Sequence, residues 1–278
     1  MLLKSFSKIN LSLSVNKKLK NGLHDIQSYF CLINLYDQID VKKINGEKDI
    51  IKFKGQFARY INKKKNSISE TLKILRKQKA ITSYYSVTVN KKIPVFAGLG
   101  GGTSNAVYLY KYLAHKKISK FLVDILSKKV GSDFELFLHE LGFLKNLKSV
   151  YSLKNKYKLF FLLVYPNIRS STKIIYSKVR KYSPKLKHYP NKTNSKKSFI
   201  KLLIDKNNDL QLIVEKKYPV IQELLTEIQL KKGCYFSRMS GSGSICYGIF
   251  KNQITAKVAL NKIKSKYPRF WFSVAKTI

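Results

Sequence analysis

Between Lys8 and Val15 apolar and polar residues alternate, with Ile9, Leu11, Leu13 and Val15 on one side and Lys8, Asn10, Ser12 and Ser14 on the other. A period of two predicts a half-buried strand that carries Lys8 and Asn10 on one face. Apolar stretches at 29–35 and 39–41 predict that the sheet continues antiparallel, with residues 34–38 as the turn. Ser67 and Glu70 have capping-box spacing, and Ile68, Leu72 and Leu75 follow at helical intervals, so a helix is expected to about Lys79. Residues 84–89 are rich in aromatic and β-branched side chains and read as a strand.

The most informative segment begins after Pro94. Gly98-Leu99-Gly100-Gly101-Gly102-Thr103-Ser104-Asn105-Ala106 leads into a helical apolar pattern at Ala106, Leu109 and Leu113. Glycines let a backbone close around an anion, and the free amides at a helix start complement phosphate charge. Thr103 and Ser104 add hydroxyls where a phosphate or a magnesium ion would lie. No Gly-Lys-Ser/Thr closes the loop and the G-x-G-x-x-G spacing is absent, so neither a Walker A loop nor a dinucleotide fingerprint is present. A further helix is expected over 119–130, ending at Gly131. Ser132 and Glu135 repeat the capping-box spacing, which makes Asp133 a first-turn carboxylate complementing a helix dipole.

The second half mixes both element types. Residues 159–165 read as a buried strand, 172–181 as a helix, and 183–198, with Pro184, Pro190 and many Lys, Asn and Ser residues, as a solvated loop. Pro219 is placed to open a helix carrying Ile221, Leu224, Leu225 and Ile228. The small-residue loop 239–244 precedes a strand at 245–250, and a helix at 256–263 and a strand at 270–274 complete the pattern.

With 278 residues, 44% of them hydrophobic, the chain is long and apolar enough to bury a core without disulfide or metal staples. No apolar run approaches the roughly 20 residues of a membrane helix. The first residues lack the apolar stretch of a signal peptide, and Cys31, Cys234 and Cys246 stand singly without metal-ligand spacing; both point to a reducing cytoplasm. The formal charge of +40 raises nucleic-acid binding. Its source is Lys spread from Lys4 to Lys276 with Arg scarce, which fits compositional drift in an AT-rich genome better than groove or phosphate recognition. The charge would still draw an anionic substrate to a cleft.

Lys8-Ile9-Asn10-Leu11, the loop 98–106 and Ser240-Gly241-Ser242-Gly243-Ser244 resemble, in that order, the three signature segments of GHMP-type small-molecule kinases. Asn21-Gly22-Leu23-His24, Lys91-Lys92-Ile93-Pro94, Gly131-Ser132-Asp133 and Asn208-Asp209-Leu210 agree in order and spacing, so the resemblance covers most of the chain. It implies an α+β GHMP kinase fold: an N-terminal domain similar to ribosomal protein S5 domain 2 over 1–152, which binds ATP, and a C-terminal ferredoxin-like α/β sandwich over 153–278 on the substrate side. The branch most similar transfers the ATP γ-phosphoryl to a hydroxyl of a cytidine-diphosphate-linked methylerythritol in the non-mevalonate isoprenoid route. A homoserine- or mevalonate-like acceptor and a catalytically degenerate ATP binder remain alternatives.

The resemblance also implies site roles. Asp133 would accept or orient the proton of the attacking hydroxyl with Lys8 beside it. Asn66, Lys91, Gly98, Leu99, Gly100, Gly101, Gly102, Thr103 and Ser104 would serve ATP, with Thr103 or Ser104 toward Mg²⁺. Asn10, His24, Thr172, Tyr176, Gly241, Ser242 and Gly243 would serve the substrate, His24 and Tyr176 at the cytosine ring. Asn10, His24 and Tyr176 each have an ordinary packing role as the alternative. The partner implied is a small molecule, with neither nucleic acid nor membrane, for a monomer or weak homodimer. Departures from the pattern fall on the substrate side: Leu23 where a tyrosine is usual, Phe134-Glu135-Leu136 after the Asp, and Gly142 to Leu147 without the usual glycine-rich stretch.

Overall fold

The computed structural model describes residues 1–115, 117–147, 149–187, 193 and 195–278. Strand β3, His24–Ile44, 21 residues long, is divided between two compact units. The first unit comprises Met1–Lys8, Leu35–Val95 and Gly100–Leu138; the second comprises Ile9–Asn34, Phe96–Leu99 and His139–Ile278. The units therefore interleave along the sequence.

In the first unit, β1 (Leu2–Asn10, to Lys8) pairs with the second half of β3, and β5 (Tyr84–Asn90) runs antiparallel to β3 from Gln38 opposite Asn90 to Ile44 opposite Tyr84. Strand β4 (Ile50–Lys54) adds in parallel to β5. Three helices complete the unit: α1 (Ser67–Lys77), α2 (Gly101–Leu113) and α3 (Lys120–Lys129), with α1 packed on both others. The apolar stripe of α1, Ile68, Leu72 and Leu75, is buried as its spacing predicts. Its capping box lies one residue earlier than expected: the Ser69 amide donates to Asn66 Oδ1 at 2.9 Å and the Asn66 amide to Ser69 Oγ at 3.1 Å.

The second unit holds β2 (Ser14–Lys18) and β6 (Leu141–Asn146), both antiparallel to the first half of β3, with β7 (Ser149–Ser152) on β6. A separate antiparallel sheet is built from β8 (Phe160–Tyr165), β9 (Cys234–Met239), β10 (Cys246–Phe250) and β11 (Trp271–Lys276), in the order β11-β8-β10-β9. Numbered within that sheet the order is 4-1-3-2, the split βαβ arrangement of ferredoxin-like domains. Helices α4 (Thr172–Ser177), α5 (Lys196–Ile204), α6 (Gln211–Lys217) and α7 (Val220–Gln229) lie between β8 and β9, and α8 (Gln253–Lys266) between β10 and β11. Among them α7 packs on β9 and β10, and α8 on β8 and β11. No helix among the described residues is long and apolar enough to cross a membrane.

Five local expectations are corrected. The turn at 34–38 is absent, because β3 runs straight through it. The polar residues that suggested a turn are bonded inside the fold: Asp37 is fully buried and accepts from the Lys92 and Ile93 amides at 2.7 and 2.9 Å, while Asn34 Oδ1 accepts from the Lys276 amide at 2.8 Å. The alternating strand at 8–15 is instead the end of β1 and the start of β2. Lys8, Asn10 and Ser12 are buried like their apolar neighbours, since Asn10 donates to Ser28 Oγ at 2.9 Å and Ser12 Oγ accepts from the Tyr29 amide at 3.1 Å. The helix expected after Gly131 is a short 3-10 turn, Glu135–Leu138, in which Leu136 and Phe137 are buried, as is Phe134 just before it. The helix at 172–181 ends early, at Ser177. The loop at 183–198 is less solvated than its composition suggests: Ser183, Lys185 and Leu186 all bond to β2 or β3 or the residues beside them, and α5 begins at Lys196. Pro190 lies outside the described residues.

Candidate active site

In the first unit the glycine loop and α2 form one device. The helix begins inside the loop, at Gly101, and Gly100 is its N-cap in the left-handed region with φ 66°. A side chain there would be strained by its backbone, and a β-carbon would lie 2.7 Å from Phe137 Cζ and 3.5 Å from Lys8 Cε. Only glycine lets the loop sit this close to the Phe137 ring, with Lys8 alongside. With no side chain at the cap, the first amides of α2 have no capping acceptor from that residue, the condition under which a helix start takes an anion.

Beside this loop, Lys8 Nζ meets Asp133 Oδ2 at 3.1 Å. The Lys8 side chain is 4% exposed and that of Asp133 34%, so a buried cation is held against a carboxylate that remains open to a ligand. The tight turn after Gly131 fixes the carboxylate: the Phe134 amide bonds to Gly131 O at 3.0 Å and the Leu136 amide to Asp133 O at 3.1 Å, with Phe134 as a buried anchor. Thr103 adjoins Gly131, its Oγ1 standing 2.7 Å from where a β-carbon would be.

The two candidate hydroxyls point different ways. Ser104 is fully buried, donates to Phe6 O at 2.5 Å and shares a hydrogen with Ser5 Oγ at 2.7 Å; Thr103 is only half-buried. Below α2, Lys91 Nζ is paired with Asp37 Oδ2 and donates to Asn105 Oδ1 at 2.9 Å, while Asn105 Nδ2 donates to Asp37 Oδ2 at 3.0 Å and to Ser5 Oγ at 2.9 Å. Lys91 is thus committed to a buried network that joins β1, β3 and the end of β5 to α2. The Asn66 side chain caps α1 and donates to Asn62 O and Lys63 O, both at 3.2 Å. The structure does not bring Asn66 and Lys91 together.

In the second unit, Gly98 meets the loop between β9 and β10. Its φ is +79°, and a β-carbon would collide with Ser240 O and lie 3.2 Å from Gly243 O. Ser240 Oγ accepts from the Asn10 amide at 3.0 Å and donates to Gly98 O at 3.2 Å. Thr172 Oγ1 and Ser242 Oγ are 2.8 Å apart, Ser170 Oγ donates to Ser242 O at 2.7 Å, and Asn208 Nδ2 donates to Met239 O and Gly241 O at 2.8 Å. Asn10, Gly98, Thr172, Gly241, Ser242 and Gly243 thereby belong to one bonded cluster. Ser240, Ser170 and Asn208 are the members sequence reasoning missed, although Ser240 and Asn208 stand within segments already singled out. Gly98→Ala is expected to cost at least about 1 kcal/mol of stability, because both the backbone region and the space exclude a methyl group. Thermal unfolding of the variant measures it.

His24 opens β3 with its ring 5.1 Å from that of Tyr176, the two planes 36° apart. Burial, reinforced by the charge of Lys18, holds its imidazole below the ordinary histidine range. Its NMR titration is expected to show a midpoint below that of an ordinary histidine, about 6.5. A midpoint at or above that value would contradict the local environment described.

With this geometry in place, comparison with known proteins is decisive for family. The chain is 34% identical over 281 residues to 4-diphosphocytidyl-2-C-methyl-D-erythritol kinase of Pelagibacter ubique, covering 99% of this chain and 98% of the relative. The chain belongs to the 4-diphosphocytidyl-2-C-methyl-D-erythritol kinase family. A family member from the Wolbachia of Drosophila simulans is 30% identical, over 96% of this chain and 95% of its own length. Residues 195–269 match the model for GHMP kinases C terminal. Among solved structures, 4-(cytidine 5'-diphospho)-2C-methyl-D-erythritol kinase superposes with a TM-score of 0.76 at 21% identity, each chain 99% covered. A homoserine kinase from Cytophaga hutchinsonii superposes with a TM-score of 0.66 at 15% identity, over 98% of this chain and 94% of that one. These likenesses show the GHMP kinase fold, α+β with two sheets, which the segment order had implied.

Proposed function

We propose that the protein transfers the γ-phosphoryl group of ATP to a hydroxyl of the methylerythritol end of 4-diphosphocytidyl-2-C-methyl-D-erythritol. The observation that carries this reading is the Lys8–Asp133 ion pair beside Gly100, next to a helix start that has no side-chain cap. The substrate oxygen attacks the γ-phosphorus, its proton passes to Asp133, and the bond from that phosphorus to the β,γ-bridging oxygen breaks to release ADP. Lys8 aims the carboxylate and balances charge on the developing nucleophile. The amides of Gly101, Gly102 and Thr103 cradle phosphate, with Gly98, Leu99 and Gly100 shaping the approach.

The donor set suits Mg²⁺ carried on phosphate oxygens. Among the described residues no cluster of three or more His, Cys, Asp or Glu could cage a metal, and Mg²⁺ is commonly held by few protein groups plus substrate phosphates. Thr103, rather than the core-bonded Ser104, would hold it, and the ion would neutralise charge on the transferring group. Lys91 would serve ATP indirectly, by fixing α2, and Asn66 by capping α1. On the substrate side, Asn10 and Thr172 with the loop 241–243 would hold the alcohol end, and His24 and Tyr176 the base. A coupled assay for ADP release with the cytidylyl substrate, homoserine and mevalonate offered in parallel tests this reading. The cytidylyl compound is expected to be the acceptor; turnover confined to either other alcohol would overturn the assignment.

A further inference from the structure

Tyr182 lies beyond α4, 45% exposed, yet it is held in place. The residues that follow are bonded onto β2 and β3: the Ser183 amide donates to Val15 O at 2.8 Å, Asn16 Nδ2 to Ser183 O at 3.1 Å, and Lys185 Nζ pairs with Asp25 Oδ2 at 2.9 Å. Gln27 and Leu186 exchange two bonds, of 2.8 and 3.1 Å. This tether sets the Tyr182 ring 6.5 Å from that of His24 with the planes 30° apart. An exposed aromatic fixed nearly parallel to a buried imidazole offers an open, preoriented ring face. Nucleobases stack on such faces. On the neighbouring strand, Lys18 stands opposite His24 in the β2–β3 register, an exposed ammonium beside the aromatic group. Rings beside an ammonium suit a nucleoside diphosphate.

Leu23, 50% exposed next to His24, has no ring to offer there. We propose that Tyr182 is a specificity-determining residue that stacks on the pyrimidine ring of the substrate, completing with His24 and Tyr176 the base pocket of this chain. The inference rests on the function proposed above and extends it to a residue outside the motifs that suggested it. The ring that Leu23 does not offer is then delivered from the segment after α4.

Calorimetric titration with cytidine diphosphate, together with steady-state kinetics, tests the assignment on wild type, Tyr182→Ala and Tyr182→Phe. Removing one stacking face is expected to weaken cytidine diphosphate binding and raise KM for the cytidylyl substrate by roughly ten-fold. In the same variant kcat should stay within about two-fold of wild type and KM for ATP should be unchanged, as expected for a group that binds the base and touches no reacting atom. Tyr182→Phe keeps the ring and should match wild type. Binding within about two-fold of wild type in Tyr182→Ala overturns the proposal. If that variant behaves as wild type while the cytidylyl substrate is phosphorylated, Tyr182 is excluded and the kinase reading stands. If cytidine diphosphate binding falls but wild type does not turn the substrate over, the stacking site stands and the kinase reading fails. Wild type that neither binds cytidine diphosphate nor turns the cytidylyl substrate over overturns both.

Discussion

Asp133→Asn is expected to lower kcat by about a thousand-fold, within the range that a positioned general base supplies. The substitution keeps the size of the side chain and an oxygen for Lys8 Nζ, which sits 3.1 Å from the carboxylate in the wild type. What it removes is the group that accepts the proton of the attacking hydroxyl. The turn that carries position 133 is held by backbone bonds at Phe134 and Leu136 and by the buried Phe134 ring, none of which depends on the carboxylate. Folding and nucleotide affinity should therefore survive, and steady-state kinetics with a thermal melt separate the two effects. A variant that retains more than about a tenth of wild-type turnover would remove Asp133 from the chemistry.

The largest effect on stability is expected at Lys91. Its ammonium is paired with Asp37, and the two side chains are 2% and 0% exposed. Breaking one partner of a buried pair leaves the other charge without water or counter-charge, a loss of about 3–5 kcal/mol. Lys91→Met should fall in that range by urea denaturation, even though the methionine fills much the same volume. Replacing both members, as Asp37→Asn with Lys91→Met, should recover a large part of the loss, since no uncompensated charge remains. A loss below about 1 kcal/mol in the single variant would show that Asp37 is satisfied by the Lys92 and Ile93 amides and Asn105 alone. Because Asn105 follows Ser104 on α2, the same variant should also loosen the glycine loop.

These two sites mark where sequence reasoning succeeds and where it stops. The glycine loop and the helix after it are legible because their chemistry is local: consecutive glycines followed by apolar residues at helical spacing specify a backbone shape without reference to anything distant. Asp133 is local in sequence but not in meaning. By spacing alone it reads as a dipole-complementing carboxylate, and its pairing with Lys8, 125 positions earlier, is a property of the fold. Asp37 shows the opposite failure. Polar residues at 34–38 resemble a turn, and only the arrival of Lys91 and Asn105 from later elements makes a buried acid tolerable inside β3.

The alternation at 8–15 misleads for a related reason. Periodicity of two identifies strand but cannot report whether the polar face meets water or a set of buried hydroxyls and amides. Here Ser28 and the Tyr29 amide take that face. Strands β8, β10 and β11 and helices α7 and α8 are legible at nearly the right bounds because they are amphipathic or continuously apolar, whereas α5, α6 and β9 are not. The tether of residues 183–186 to β2 and β3 was invisible, since a Lys- and Pro-containing stretch looks like any solvated loop until its backbone bonds are seen.

The central claim is phosphoryl transfer from ATP to the cytidylyl alcohol with Asp133 as the proton acceptor. Incubation of wild type and Asp133→Asn with ATP labelled in the γ-phosphate, Mg²⁺ and 4-diphosphocytidyl-2-C-methyl-D-erythritol tests it most directly. Wild type is expected to put label in the cytidylyl product and the variant almost none. Absence of label with wild type, or undiminished labelling with Asp133→Asn, would contradict it.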